Sequence, residues 1–143
     1  MAKILVSACL LGFPTRYDGT SKPCEAVLAL AKDNVLIPVC PEQMGGLPTP
    51  RIPSERQSDG KTLLMRDGTD VTENYRRGVE MTLRLAAMNG VELCILKSGS
   101  PSCGKGEIYD GSFTGCKIPG NGVTAEALLN AGYTVISEKE IQG

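Results

Sequence analysis

Val91-Glu92-Leu93-Cys94-Ile95-Leu96 runs straight into Lys97-Ser98-Gly99-Ser100-Pro101-Ser102-Cys103-Gly104. The first half is a short apolar run with β-branched residues, closed by turn formers, and reads as a buried strand. The second half is a loop built for chemistry. Gly99, Pro101 and Gly104 shape its backbone. Three serines supply hydroxyls, and Cys103 supplies a soft sulfur. The same arrangement recurs twice upstream. Lys3 to Ser7 reads as a strand followed by Cys9, and Val35 to Val39 as a strand ending directly at Cys40.

Helical signals fall between these strands. Ser21 is placed to cap a helix over Lys22 to Lys32, with Pro23 tolerated in its first turn and Asp33-Asn34 closing it. Pro38 marks the second strand as an edge strand or as the end of its pairing. A Gly/Pro-dense loop runs from Pro41 to about Gly60; a loop of that length is usually functional or disordered, and its composition points to a shaped wall. Asp67-Gly68, between Thr62–Met65 and Thr69–Val71, is a hairpin-like signal. Thr72 would cap the longest helix, Glu73 to Met88, and Asn89-Gly90 stops it. Tyr75, Val79 and Leu83 recur at helical spacing and read as its core face. A turn-rich segment follows at Tyr109 to Gly115, then a helix over Thr124 to Ala131 and a last strand, Tyr133 to Ile136. Strands buried on both faces and alternating with helices are the pattern of a parallel α/β sheet. The expected fold is a single α/β domain over residues 1–143, mainly a parallel sheet flanked by helices, Rossmann-like. Its site lies beyond the carboxyl ends of the strands. Gly12, Gly45 and Gly46 do not form a G-x-G-x-x-G pattern, so a dinucleotide fold is unsupported.

Composition narrows the chemistry. The chain has 143 residues, 41% of them hydrophobic, enough for a core without disulfide staples. Net charge is −1, so no global basic field argues for long nucleic acid. Aromatics make up only 4%, which leaves little material for base-stacking platforms. Histidine is absent, which removes the usual general base and the usual zinc nitrogen ligand. Six cysteines in a core-competent chain read as thiols in a reducing cytoplasm rather than as three disulfides. Val6-Ser7-Ala8-Cys9 looks like a lipoprotein box, but only eight residues precede the cysteine, too few for charged and apolar regions in series. No apolar run approaches the roughly 18 residues that span a bilayer.

Parallel strands would bring Cys9, Cys40 and Cys103 to one sheet edge. Three thiolates without histidine suit iron–sulfur clusters, zinc or copper. A closed zinc site needs a fourth protein ligand, and none is evident. A four-iron cluster on three cysteines leaves one iron open as a Lewis acid. Cys94, inside a strand, reads as core; Cys24 and Cys116 read as structural or incidental. Glu42, two residues after Cys40, is a candidate general base. Ser98, Ser100 and Ser102 are candidate substrate contacts as well as turn formers. Lys97 reads as an anion contact or a strand-end cap. Arg16, Asp18 and Arg51 share the presumed rim, where arginine offers bidentate donors. Tyr17-Asp18-Gly19-Thr20 and Tyr109-Asp110-Gly111-Ser112 echo each other and read as two similar turns.

Six blocks carry a family resemblance. They are Ser7-Ala8-Cys9-Leu10-Leu11-Gly12, Arg16-Tyr17-Asp18-Gly19, Cys40-Pro41-Glu42 with Gly45-Gly46-Leu47 and Pro50-Arg51, Asp70-Val71-Thr72, Ser100-Pro101-Ser102-Cys103-Gly104, and Tyr109-Asp110-Gly111. In this order they resemble the short single-domain thiouracil desulfurase (desulfidase) family, from about Ser7 to Ser137. The resemblance implies a 4Fe-4S cluster on Cys9, Cys40 and Cys103, prone to loss in air. It implies a non-redox reaction that replaces the sulfur of a thiolated pyrimidine by oxygen, with the substrate sulfur on the open iron. The family's catalytic acid falls on Glu42 and its catalytic serine on Ser100, with Ser98 and Ser102 as rivals. Asp18 and Arg51 would complete the substrate site. Two other functions stay open at this point: a cluster-bearing sulfur carrier for another enzyme, and a zinc-stabilised structural domain.

Overall fold

The computed structural model describes residues 1–141. Its centre is a four-stranded sheet in the spatial order Val35–Val39, Lys3–Ser7, Leu93–Leu96, Val135–Ser137, parallel throughout. In chain order, β1 is Lys3–Ser7 and leads into a 3-10 turn, Ala8–Leu11; α1 is Glu25–Leu28, extended by a 3-10 turn, Ala29–Lys32. Next come β2, Val35–Val39, and α2, Pro41–Met44. The strands β3, Ser54–Arg56, and β4, Leu63–Met65, pair antiparallel, and α3 is Thr72–Asn89. β5 is Leu93–Leu96; β6, Glu107–Tyr109, and β7, Lys117–Pro119, form a second hairpin. The last elements are α4, Val123–Asn130, β8, Val135–Ser137, and a 3-10 turn, Glu138–Glu140.

Alternation along the strands splits the core. Leu5, Cys94 and Leu96 face one side, packed with Ala86 of α3 and Leu128 of α4. Ile4, Val6 and Ile95 face the other, packed with Leu10 and Val27. The core position expected for Cys94 is therefore observed. A third cluster, Leu47, Leu63, Val71 and Tyr75, seats the β3–β4 hairpin on the start of α3. The chain leaves β1 toward β2 on one side and β5 toward β8 on the other. The order of connection thus reverses between β1 and β5, where open α/β sheets bind ligands.

Most expected elements are present, and the differences have physical causes. Pro38 lies in β2 opposite Val6, and β2 is an edge strand, where a missing N–H is tolerated. The first helix begins at Glu25 rather than Lys22, and Ser21 does not cap it. The chain before it runs extended because Lys22 N donates to Cys9 O (2.9 Å) and Cys24 N to Leu10 O (3.0 Å). The stretch from Pro41 to Gly60 is not a bare loop: it holds α2 and β3. Thr72 does not cap α3 with its side chain; its Oγ1 accepts from Leu63 N at 3.0 Å and ties the helix to β4. Gly90, at φ 61°, closes α3 in the left-handed conformation expected of Asn89-Gly90. The two echoing turns share one design: Asp18 Oδ1 accepts from Thr20 N and Oγ1, and Asp110 Oδ1 from Ser112 N and Oγ.

Candidate active site

A cleft of about 520 Å³ opens beyond the carboxyl ends of the strands, and Cys9, Cys40 and Cys103 all line it. Cys9 rides on the turn that continues β1, and Cys40 caps α2 at the end of β2. Cys103 closes the loop after β5. That loop is pinned to the start of α4: Gly122 N donates to Gly104 O (2.7 Å), Val123 N to Pro101 O (2.9 Å) and Thr124 N to Ser102 O (2.9 Å). The loop also ties back to the sheet, where Lys97 N donates to Ser7 Oγ at 2.9 Å.

All six cysteines are free thiols. Burial raises the pKa of Cys9, Cys40 and Cys103, to about 11 for Cys9, and each of the three also feels the charge of Glu42. Cys9 and Cys103 both respond to Cys40, so the three thiols sit within electrostatic range of one another. Lys97 and Arg16 act on Cys9, and Arg51 acts on Cys40, in the opposite sense. The lining holds seven Lys or Arg side chains and three Glu, in a chain whose net charge is −1. Positive potential is therefore concentrated where thiolates would have to form.

Glu42 stands in the first turn of α2 and is buried, with 8% of its surface exposed. Burial raises its pKa; the Arg51 charge, the backbone and Ser100 recover part of the shift. Its position depends on a glycine contact. A Cβ on Gly78 of α3 would overlap the Pro41 carbonyl, and one on Gly45 would overlap the Asn74 carbonyl. The two helices touch backbone to backbone, and Asn74 Nδ2 donates to Gly45 O at 3.0 Å.

The three serines have different surroundings. Ser100 Oγ donates to Glu42 Oε2 at 3.4 Å and accepts from Ser102 N (3.1 Å) and Cys103 N (2.9 Å). Ser98 lines the cleft, but its N–H and Oγ both donate to Glu138, at 2.8 Å each. Ser102 is fully buried against Thr124, Oγ to Oγ1 at 2.6 Å, and does not line the cleft. Asp18 does not reach the cleft either, because its carboxylate is occupied in its own turn. Arg51 lines the wall and works as a clamp, with Nη2 donating to Thr15 O (3.2 Å) and Nη1 to Thr49 Oγ1 (2.9 Å). Arg16 and Lys97 line the cleft as well, and Lys97 Nζ lies 3.5 Å from Glu138 Oε2.

Several lining residues were not singled out in the sequence. Tyr75 is the buried helix residue its spacing predicted, yet it also forms the cleft wall. Of the six aromatic residues in the chain, Tyr17, Tyr75, Tyr109 and Phe113 line the cleft, so the scarce aromatic surface is gathered at one place. The paired Asp turns explain Tyr17 and Tyr109, since each turn begins with the tyrosine it presents. Glu55 Oε1 accepts from Gly111 N (2.9 Å) and Phe113 N (3.1 Å) and fastens the second of those turns over the cleft. Glu138 follows the fourth parallel strand directly. The rule that located the cysteines, looking just past each strand end, applies to it equally.

Among the described residues, no three Cys, Asp or Glu side chains converge as a single metal ion requires. Three soft sulfurs lining one cleft, within a cationic wall, are a donor set that suits an iron–sulfur cluster. Also among the described residues, no helix is long and apolar enough to cross a membrane.

A family model described as 2-thiouracil desulfurase matches residues 4–140. The chain is 44% identical over 146 residues to the uncharacterized protein YbbK of Bacillus subtilis (strain 168), covering 96% of this chain and 97% of that one. Among solved structures it is similar to the 4Fe-4S-dependent thiouracil desulfidase TudS, with a TM-score of 0.93 and 45% identity, over 99% of this chain and 93% of that one.

Proposed function

The chain belongs to the 2-thiouracil desulfurase family, and we propose that it is a 4Fe-4S-dependent enzyme that hydrolyses the carbon–sulfur bond of a thiolated pyrimidine such as thiouracil. The observation that carries this reading is the meeting of Cys9, Cys40 and Cys103 with the buried Glu42–Ser100 pair in one cleft. The three cysteines would hold the cluster, which when bound supplies a Lewis-acidic iron for the substrate's sulfur. Metal binding displaces the thiol protons that burial retains, and the surrounding cations offset the thiolate charge.

The rest of the work falls to the chain. The aromatic wall of Tyr17, Tyr109 and Phe113 suits a planar ring by stacking or edge contact. Glu42, whose pKa is raised by burial, is placed to exchange a proton with the substrate. Its carboxylate takes a proton from the water that adds to the thiocarbonyl carbon and returns one as the carbon–sulfur bond breaks. Atoms balance as thiocarbonyl plus water giving carbonyl plus hydrogen sulfide, with no net redox change. Ser100 orients Glu42 through Oγ and stiffens the Cys103 backbone through the two N–H groups that bond it. Of the three serines, it alone has a hydrogen bond to Glu42. Free thiols throughout the chain suit a reducing cytoplasm.

Anaerobic reconstitution followed by assay with 4-thiouracil and 2-thiouracil tests the proposal. About four irons per chain and stoichiometric sulfide with uracil are expected. Glu42→Gln should keep the iron and lose about 100-fold or more in kcat. Protein that retains no iron, or that retains iron and releases no sulfide from either substrate, would sink the reading.

A further inference from the structure

One part of the cleft wall is not used by the chemistry above. Ser54, on β3, is buried, and its Oγ is the one shielded side-chain polar atom among the described residues without a hydrogen-bond partner. An unpaired hydroxyl in such a place is destabilising, so its retention calls for a reason. Ser54 lines the cleft, and so does Tyr75, with only 3% of its surface exposed. The Tyr75 phenol is within interaction range of Ser54 without completing a hydrogen bond to it. It also lies within electrostatic range of Glu42, Arg51 and Cys103, which line the same cleft. Burial, followed by the Glu42 charge, drives its pKa well above the ordinary tyrosine range. Its O–H therefore stays a donor at every physiological pH. Two neighbouring hydroxyls, each able to donate and accept, thus stand beside the groups assigned to the reaction. Among the described residues, neither hydroxyl bonds a third group of the fold.

We propose that Tyr75 and Ser54 form a polar wall that reads the ring edge of the substrate, with the Tyr75 hydroxyl bonding the ring N3–H or the C2 carbonyl and Ser54 Oγ supporting it. The inference rests on the cleft taking a thiolated pyrimidine. It makes the pair determinants of specificity, because a site that hydrogen-bonds a polar group rejects analogues lacking it. Neither residue is asked to move a proton.

Product binding to the cluster-loaded protein isolates this role from turnover. Uracil, 3-methyluracil (no N3–H) and 4-pyrimidinone (no C2 carbonyl) are titrated calorimetrically into wild type, Tyr75→Phe, Ser54→Ala and the double variant. Tyr75→Phe should bind uracil roughly tenfold more weakly and Ser54→Ala a few-fold more weakly. The double variant should bind no worse than Tyr75→Phe, as expected for a coupled pair. For the analogue that lacks the group being read, wild type and Tyr75→Phe should bind alike. Neither single variant should lower Tm, since Ser54→Ala removes an unpaired group and Tyr75→Phe keeps the ring. Unchanged uracil affinity in Tyr75→Phe overturns the inference. So does equal weakening toward all three ligands, or wild type that binds no uracil. Sulfide release from 4-thiouracil by the same wild-type preparation would leave the proposed function standing in each case, whereas its absence would remove that function first.

Discussion

Two glutamates flank the loop between Ser98 and Cys103, and their surroundings push them in opposite directions. Glu42 is buried with few partners, so the burial penalty wins and its pKa rises. Glu138 also meets a burial penalty, but the Ser98 N–H and O–H and the Lys97 charge outweigh it, and its pKa falls. Opposite pKa shifts in two carboxyl groups of one cleft mark divided labour: Glu42 is tuned toward proton exchange, and Glu138 toward keeping its charge to hold the loop. The Glu138 shift has a consequence for stability. Because its folded pKa lies below its unfolded one, the stabilisation is complete above the ordinary carboxyl range and is lost as pH falls through the folded value. Glu138→Gln should therefore be less stable than wild type at pH 7, by about 1 kcal/mol after allowance for partial exposure. The gap should close as pH drops through the carboxylate range. Urea unfolding across a pH series measures it. A gap of constant size at every pH would mean that the charge on Glu138 is not what holds Ser98.

At the scale of elements, what could be read from the chain depended on length. β1 and β2 match their expected limits because each is a continuous apolar run bounded by turn residues. α3 was legible for the same reason, with eighteen residues of periodic pattern and a glycine stop. α2 and β3 span four and three residues, too few to show any period, and so hid in an apparent loop. The one-turn α2 cannot hold itself together and depends on its contact with α3. That dependence makes Gly78 decisive for the site. Helix propensity alone says Gly78→Ala should stabilise α3 by about 1 kcal/mol. The added methyl would instead collide with the Pro41 carbonyl, a backbone group with nowhere to turn. The collision should win, with a net loss of about 1–3 kcal/mol and a fall in kcat as Glu42 shifts. Chemical denaturation and steady-state assays of this variant separate the two effects. A variant as stable and active as wild type would show that the α2–α3 contact does not set the Glu42 position.

On the scale of the whole molecule, the site was legible as a topology before it was legible as contacts. Parallel strands and three strand-end cysteines sufficed to bring Cys9, Cys40 and Cys103 to one cleft. Which serine meets Glu42, and that Ser102 turns toward Thr124, could not be read, because side-chain direction in the loop is set by its docking on α4. The same topology predicts how the cofactor and the fold depend on each other. The three apolar clusters of the core are made mostly of aliphatic side chains other than the proposed ligands, so iron-free protein should stay folded and unfold cooperatively, unlike a small zinc domain. Yet the proposed ligands come from the ends of β1 and β2 and from the loop after β5, and a cluster would tie these segments together only in the native state. Chelation under anaerobic conditions should therefore lower Tm by roughly 5–10 °C without abolishing the transition. Cys9→Ser, Cys40→Ser and Cys103→Ser should each remove that iron-dependent difference. Cys24→Ser and Cys116→Ser, whose side chains do not line the cleft, should preserve it. Scanning calorimetry of loaded and chelated samples reads all six proteins. An unchanged Tm on iron removal would mean that the bound iron does not tie those segments together, and an iron-dependent shift that survived Cys40→Ser would place the cluster on other residues.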